Sequence, residues 1–192
     1  MIHIASWNIR GLHYPHKQDE VRNLVHSHNI SLIGILETHV QESNSLHISS
    51  GLLPGWRFKF NYSSHRGGRI WLASNPNILD VQVLSSSDQL IHSQVTVLET
   101  QVTFLNSVIY GKNNVNDRQR LWNSIISIAN QNQSLPWILH GDLNVVRYPH
   151  EREGGNLSWP NYMDDLEECC STSELDDLKY IDRKSTRLNS SH

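Results

Sequence analysis

Three apolar runs in this chain end on a carboxylate or an amide: Trp7-Asn8 in SWNIRGL, Glu37 in LIGILETH, and Asp142 with Asn144 in WILHGDLN. An apolar run of four to eight residues closed by a turn reads as a buried strand, and the ends of strands are where side chains reach a shared cleft. Each residue alone has a plainer reading. Glu37 would be a surface acid beside Thr38, Asn8 a turn residue before Gly11, and Asp142 with Asn144 an Asx-turn closing its strand. Together they offer only oxygen and amide ligands, which suits a hard divalent cation and the chemistry of phosphate esters. Such chemistry needs an activated water, neutralised charge at phosphorus and a stabilised leaving oxygen. Glu37 could supply a carboxylate to Mg²⁺, which keeps most of its waters and takes one or two protein carboxylates. Asn8 could orient Glu37 or touch the ion. Asp142 and Asn144 point the same way if the backbone between them is extended.

The elements that must position these groups are mostly strands. Residues 1–8 and 30–36 read as buried strands. Trp56, Phe58, Phe60 and Tyr62 alternate with polar residues, as in a half-buried strand. Gly67-Gly68 then turns the chain into RIWLAS, which predicts a hairpin. Further strands fit 79–85, 91–98, 101–110 and 136–141. Helices fit KQDEVRNLVHSH, with Val21, Leu24, Val25 and His28 on one side, and DRQRLWNSIISIANQ, with Leu121, Trp122, Ile125, Ile126 and Ala129 inward and Asn116 or Asp117 as cap. A third helix is predicted from Ser158-Trp159-Pro160, carrying Tyr162, Met163, Leu166 and Cys169 or Cys170 inward. Strands outnumber helices and several form consecutive hairpins, which argues for an α+β fold with two packed sheets.

Composition bounds the function classes. A chain of 192 residues is one domain long and can bury a proper core. No run approaches a membrane helix, and MIHIASWNI is strand-like rather than a secretory leader. The two cysteines, Cys169 and Cys170, are adjacent and make no disulfide framework, which points to a reducing compartment, nuclear or cytoplasmic. The twelve histidines are scattered, most of them read as surface residues, and none has the spacing of a zinc site. His13, His16, His47 and His65 read as loop residues, while His26 and His28 flank a helix end. The net charge of −3 hides an uneven distribution: eleven Lys/Arg against nine Asp/Glu in residues 1–150, two against nine in 151–181, and three against one in 182–192. There is no basic stripe, so charge alone does not argue for a nucleic-acid partner.

Further stretches stand in a fixed order with the first three: GGRIWLAS at 67–74, SVIYGKNN at 107–114, RQRLWNSI at 118–125 and EREGG at 151–155. The ordered set resembles the endonuclease/exonuclease/phosphatase superfamily, the group of DNase I, exonuclease III and the apurinic/apyrimidinic endonucleases. Its detailed wording is similar to the endonuclease domain at the front of plant LINE-type non-LTR retrotransposon polyproteins, over residues 1 to about 181. The resemblance implies a four-layer α/β/β/α sandwich of the DNase I-like type. It also implies a Mg²⁺-dependent hydrolase, with Mn²⁺ as the alternative ion, that nicks DNA. On this reading Glu37 and Asn8 serve the metal, Asp142 and Asn144 align water and contact the phosphate, and Tyr110 contacts the phosphate. Asn113 is a substrate contact on the adjoining loop. A monomer with no membrane partner is implied, with a reverse transcriptase encoded downstream in the parent polyprotein.

The pattern is incomplete at the C-terminus. The superfamily's late-loop aspartate and its Ser-Asp-His segment are missing, and residues 182–192, DRKSTRLNSSH, resemble a translated sequencing adapter. That tail is expected to pack against nothing. The Ser-Ser-His ending, with His192, is not assigned to the missing segment. The expectation is therefore a truncated domain, residues 1–181, with weak or no activity. Two other readings stand beside the nuclease: another phosphodiesterase or phosphatase of the superfamily, acting on phosphoinositides, sphingomyelin or RNA tails, and a non-catalytic retroelement relic.

Overall fold

The apolar runs become strands whose two faces are both covered. The computed structural model describes residues 1–132, 134–148 and 164–178. In chain order the elements are β1 (Ile4–Asn8), α1 (Pro15–Ser27), β2 (Leu32–Leu36), α2 (Glu42–Leu52), β3 (Arg57–Phe60), β4 (Ile70–Ser74) and β5 (Leu79–Ser86). They continue with β6 (Leu90–Val97), β7 (Thr103–Tyr110), α3 (Val115–Gln131), β8 (Trp137–Asp142) and α4 (Asp165–Thr172). The strands form two four-stranded sheets, ordered β1-β2-β4-β3 and β5-β6-β7-β8. In each sheet one edge pair is parallel, β1 with β2 and β7 with β8, and the other pairings are antiparallel.

Period-two alternation sorts side chains into three apolar layers. On β2, Ile33 and Ile35 join Val21, Val25, Leu52 and Trp71 in the layer beneath α1 and α2. Leu32 and Leu36 face the other way, with Ile70, Leu72, Ile91, Val95 and Val108 between the sheets. Leu90 and Ile109 meet Leu121, Trp122, Ile125, Leu166 and Cys169 of α3 and α4. Two sheets clothed by helices on both outer faces make the expected α/β/β/α sandwich. At Gly34 the sheets come so close that a Cβ would lie 2.4 Å from Val108 Cγ1.

Some local expectations need correcting. Helix α2 was not predicted, because the side chains it buries include Ser45 and Ser49 and give no apolar periodicity. Helix α3 starts earlier than expected. Its cap is Asn114, whose side chain accepts from the Asp117 amide, rather than Asn116 or Asp117. His28 is exposed at the C-cap of α1, not on its buried side. His16 and His47 lie within α1 and α2 rather than in loops. The predicted helix start at 158–160, EREGG and the 182–192 tail lie outside the described residues. Among the described residues no helix is long and apolar enough to cross a membrane.

Two histidines are interior. His92 Nδ1 pairs with Ser107 Oγ at 2.8 Å, and His140 Nε2 donates to Asn106 Oδ1 at 2.9 Å. His140 shares a β8 face with Ile138, which packs between the sheets. Burial pushes the His140 pKa from 6.5 down to about 4. The folded chain therefore favours the neutral ring, so this stability is whole above pH 6.5 and is lost as pH falls toward 4. Protonation should remove up to roughly 3 kcal/mol over that window. Urea midpoints near neutrality and near pH about 4.5 should differ by less in His140→Gln than in the wild type. An equal difference would show that the ring does not drive acid unfolding.

Candidate active site

Strand register brings four of the expected residues to one end of the sandwich. Asn8 ends β1 opposite Leu36, the last residue of β2, and Glu37 follows it. In the other sheet Tyr110 ends β7 directly opposite Asp142, the last residue of β8. The edge strands β1 and β8 face each other across the sheets. The Asn8 amide sits at the junction: its Nδ2 donates to Glu37 Oε1 at 3.2 Å and to Asp142 Oδ2 at 2.9 Å. One NH₂ group thus bridges a carboxylate from each sheet. The Tyr110 hydroxyl donates to Glu37 Oε1 at 2.5 Å.

The loops that carry these groups are held locally. Gly11 N donates to Glu37 O at 2.9 Å and Leu12 N to Thr38 O at 2.7 Å, joining the loops after β1 and β2. Thr38 Oγ1 then donates to Gly68 O at 2.9 Å in the β3–β4 turn. Glu37 has φ 51° and Asn144 φ 52°, left-handed values that a non-glycine side chain adopts at a cost. The backbone beyond Asp142 is therefore not extended, which corrects the alternation argument. Asn144 N donates to Asp142 Oδ1 at 2.9 Å, so the Asx-turn is real and the site residues are part of it. The Asn144 side chain donates to Gly111 O at 2.6 Å and ties this turn to the loop after β7.

Electrostatics suit a cation ligand. Burial would raise the Glu37 pKa, but donation from Tyr110 and Asn8, with the charges of Arg10 and His39, outweighs it and holds the carboxyl below its ordinary value. Burial and the neighbouring Glu37 push the Tyr110 phenol up, which keeps it a donor. Asn8 Oδ1 is buried without a partner among the described residues. An orphaned amide oxygen beside two carboxylates is the donor set a hard cation takes. Among the described residues no three His, Cys, Asp or Glu side chains gather as a metal cluster. Glu37 and the Asn8 oxygen are thus the groups that would hold a hard divalent cation here.

Sequence reasoning missed three neighbours. His39 Nε2 lies 3.7 Å from Glu37 Oε2. Arg69 Nη1 reaches the Tyr110 hydroxyl at 3.5 Å. Buried Arg118 of α3 donates to the carbonyls of Lys112, Asn113 and Asn144 at 2.7, 3.1 and 3.3 Å, clamping both site loops from below. GGRIWLAS and RQRLWNSI contained Arg69 and Arg118, but a lone arginine carries no positional signal. Asn113 does not join the Asn8 group; it is exposed and lines an adjoining pocket with Tyr110.

Comparison with known proteins bears on this arrangement. The Endonuclease/Exonuclease/phosphatase family profile matches residues 5–166. No curated protein sequence matches the chain. Solved structures share the fold at low identity. The endonuclease domain of TRAS1, a telomere-specific non-LTR retrotransposon, is 11% identical with TM-score 0.67, over 88% of this chain and 70% of that one. The AP endonuclease LMAP of Leishmania major is 12% identical with TM-score 0.65, over 88% and 65%. The mannosyl-6-phosphatase Bt3783 of Bacteroides thetaiotaomicron is 14% identical with TM-score 0.59, over 88% and 70%. The chain spans less than two thirds of some of these relatives, as in the 61% of a further Bacteroides thetaiotaomicron family protein.

Proposed function

The chain belongs to the endonuclease/exonuclease/phosphatase family, and from that premise we propose that it is a metal-dependent DNA-nicking endonuclease of a non-LTR retroelement, of the plant LINE type. The observation that carries this reading is the Asn8 amide bridging Glu37 and Asp142, with Tyr110 on the same carboxylate. When bound, the ion neutralises charge at the phosphorus and lowers the pKa of its water. Glu37, ionised and flanked by donors, would hold the ion together with Asn8. Asp142 accepts a proton from the attacking water, and the Asx-turn fixes its carboxylate. The free hydrogen of the Asn144 amide donates toward the phosphate oxygens, and Tyr110, whose single hydroxyl hydrogen is given to Glu37, reaches them only by releasing that bond. DNA is the substrate of this reading, in keeping with the TRAS1 likeness, and the reverse transcriptase would lie downstream in the parent polyprotein.

The test presents supercoiled plasmid to the chain with Mg²⁺, with Mn²⁺ and with chelator, beside mannose 6-phosphate as a monoester. A small yield of open-circle product that disappears with chelator is the expected result, in keeping with the weak activity anticipated from the sequence. Phosphate release from the monoester without nicking would replace the nuclease by a phosphatase. Inertness toward both would favour the relic.

A further inference from the structure

On the far side of Tyr110 lies a pocket of about 210 Å³, lined by His65, Arg69, Asp88, Tyr110, Lys112 and Asn113. It is contiguous with the proposed site, because the Tyr110 ring forms part of its wall and the Tyr110 hydroxyl holds Glu37. Three donors converge on it. Arg69 has no carboxylate partner among the described residues; its guanidinium leans over the Tyr110 ring, 5.8 Å from the centroid, and reaches the hydroxyl at 3.5 Å. His65 Nδ1 accepts from Gly67 N at 3.0 Å, which places the ring's remaining proton on Nε2 as a donor. Burial, with Arg69 and Lys112 nearby, holds that ring neutral. Lys112 Nζ is balanced by Asp88 at 2.5 Å, so this pair adds no net charge while keeping the ammonium at the wall. Among the described residues the uncompensated charge of the pocket is therefore the Arg69 guanidinium, a planar fork suited to phosphate oxygens.

We infer that this pocket is a second phosphate subsite, which seats the backbone phosphate next to the scissile one through Arg69, the His65 Nε2–H and Asn113. The inference rests on the DNA reading and deepens it. A phosphomonoester of a small sugar has no second phosphate to place there, so the pocket gives a nucleic-acid strand a grip that a monoester lacks. It also answers the missing basic stripe: the grip is one buttressed arginine at the cleft rather than a charged surface.

The test is fluorescence anisotropy of the whole chain with a labelled duplex oligonucleotide, in chelator so that nothing is cut, across a salt series. Wild type, Arg69→Gln, Arg69→Lys and Arg57→Gln are compared, and thermal melts show that each is folded. Arg57 pairs with Asp80 and lies in register with Ser74, at the opposite end of the sheet. Arg69→Gln should weaken binding severalfold and lower the slope of log affinity against log salt by about 0.9, one phosphate contact. Arg69→Lys should keep most of the slope, and Arg57→Gln should match wild type. Equal slopes for wild type and Arg69→Gln, with both binding, would overturn the subsite and leave the nuclease reading intact. A wild-type chain that does not bind the duplex at all would overturn both.

Discussion

Replacing Glu37 with Gln, or Asp142 with Asn, should each reduce Mg²⁺-dependent plasmid nicking by roughly a hundred- to ten-thousandfold, the range for losing a positioned proton acceptor or an equivalent charge. The two carboxylates enter from different sheets and meet on one Asn8 nitrogen, at 3.2 and 2.9 Å, so they form a unit rather than two independent groups. The double variant should therefore be little worse than the worse single one. Asn8→Ala should follow at a smaller cost, on the order of ten- to a hundredfold in metal affinity, because it removes the bridge while leaving both acids. Single-turnover nicking against metal concentration separates these effects. Full Mg²⁺-dependent activity in Glu37→Gln would remove Glu37 from the site, and additive losses in the double variant would show that the carboxylates act separately.

The second large effect is on stability. Gly141 has φ +137°, and a Cβ there would stand 2.0 Å from the Ile109 carbonyl oxygen on β7. The neighbouring atom is backbone in a buried strand, so it cannot swing aside. Gly141→Ala should cost about 3 kcal/mol or more, combining strain at a left-handed φ with an unrelievable overlap. For a chain of this size that is roughly a 10 °C fall in melting temperature. Gly55→Ala is the internal comparison: its φ is +81°, yet nothing lies within 4 Å of the added Cβ. It should lose only about 1 kcal/mol. Equal losses at both positions would show that the dihedral alone matters and that β7 and β8 can move apart. Below its lowered melting point Gly141→Ala should also nick less than wild type, since Gly141 sets the direction in which Asp142 leaves the strand.

How far this was legible in the sequence differs from element to element. Ile33, Ile35, Leu32 and Leu36 announce a strand buried on both faces, because a continuous apolar run has no solvated side to show. The alternation of Trp56, Phe58 and Phe60 likewise announced β3, and Gly67-Gly68 its turn. Helix α2 was silent, since small serines can face a core as readily as water, and only the packing of Ser45 and Ser49 decides between them. His140 was equally silent: a histidine two residues before Asp142 reads the same whether its ring meets solvent or Asn106.

The site divides in the same way. Residue types alone determined that Asn8, Glu37, Tyr110 and Asp142 stand at strand ends, because apolar runs and turns are local properties of the chain. Their order, too, was written in the sequence and carried the family resemblance. Tertiary structure alone decided that the ends of β1 and β8, 134 positions apart between Asn8 and Asp142, share one amide nitrogen. It also decided that Asp142 and Asn144 meet through a left-handed turn instead of an extended strand, and that Arg69 and Arg118 reach the site at all. Contacts of that kind depend on which sheet faces which, and the stacking of two sheets is set by the total burial of three apolar layers rather than by any short stretch of residues.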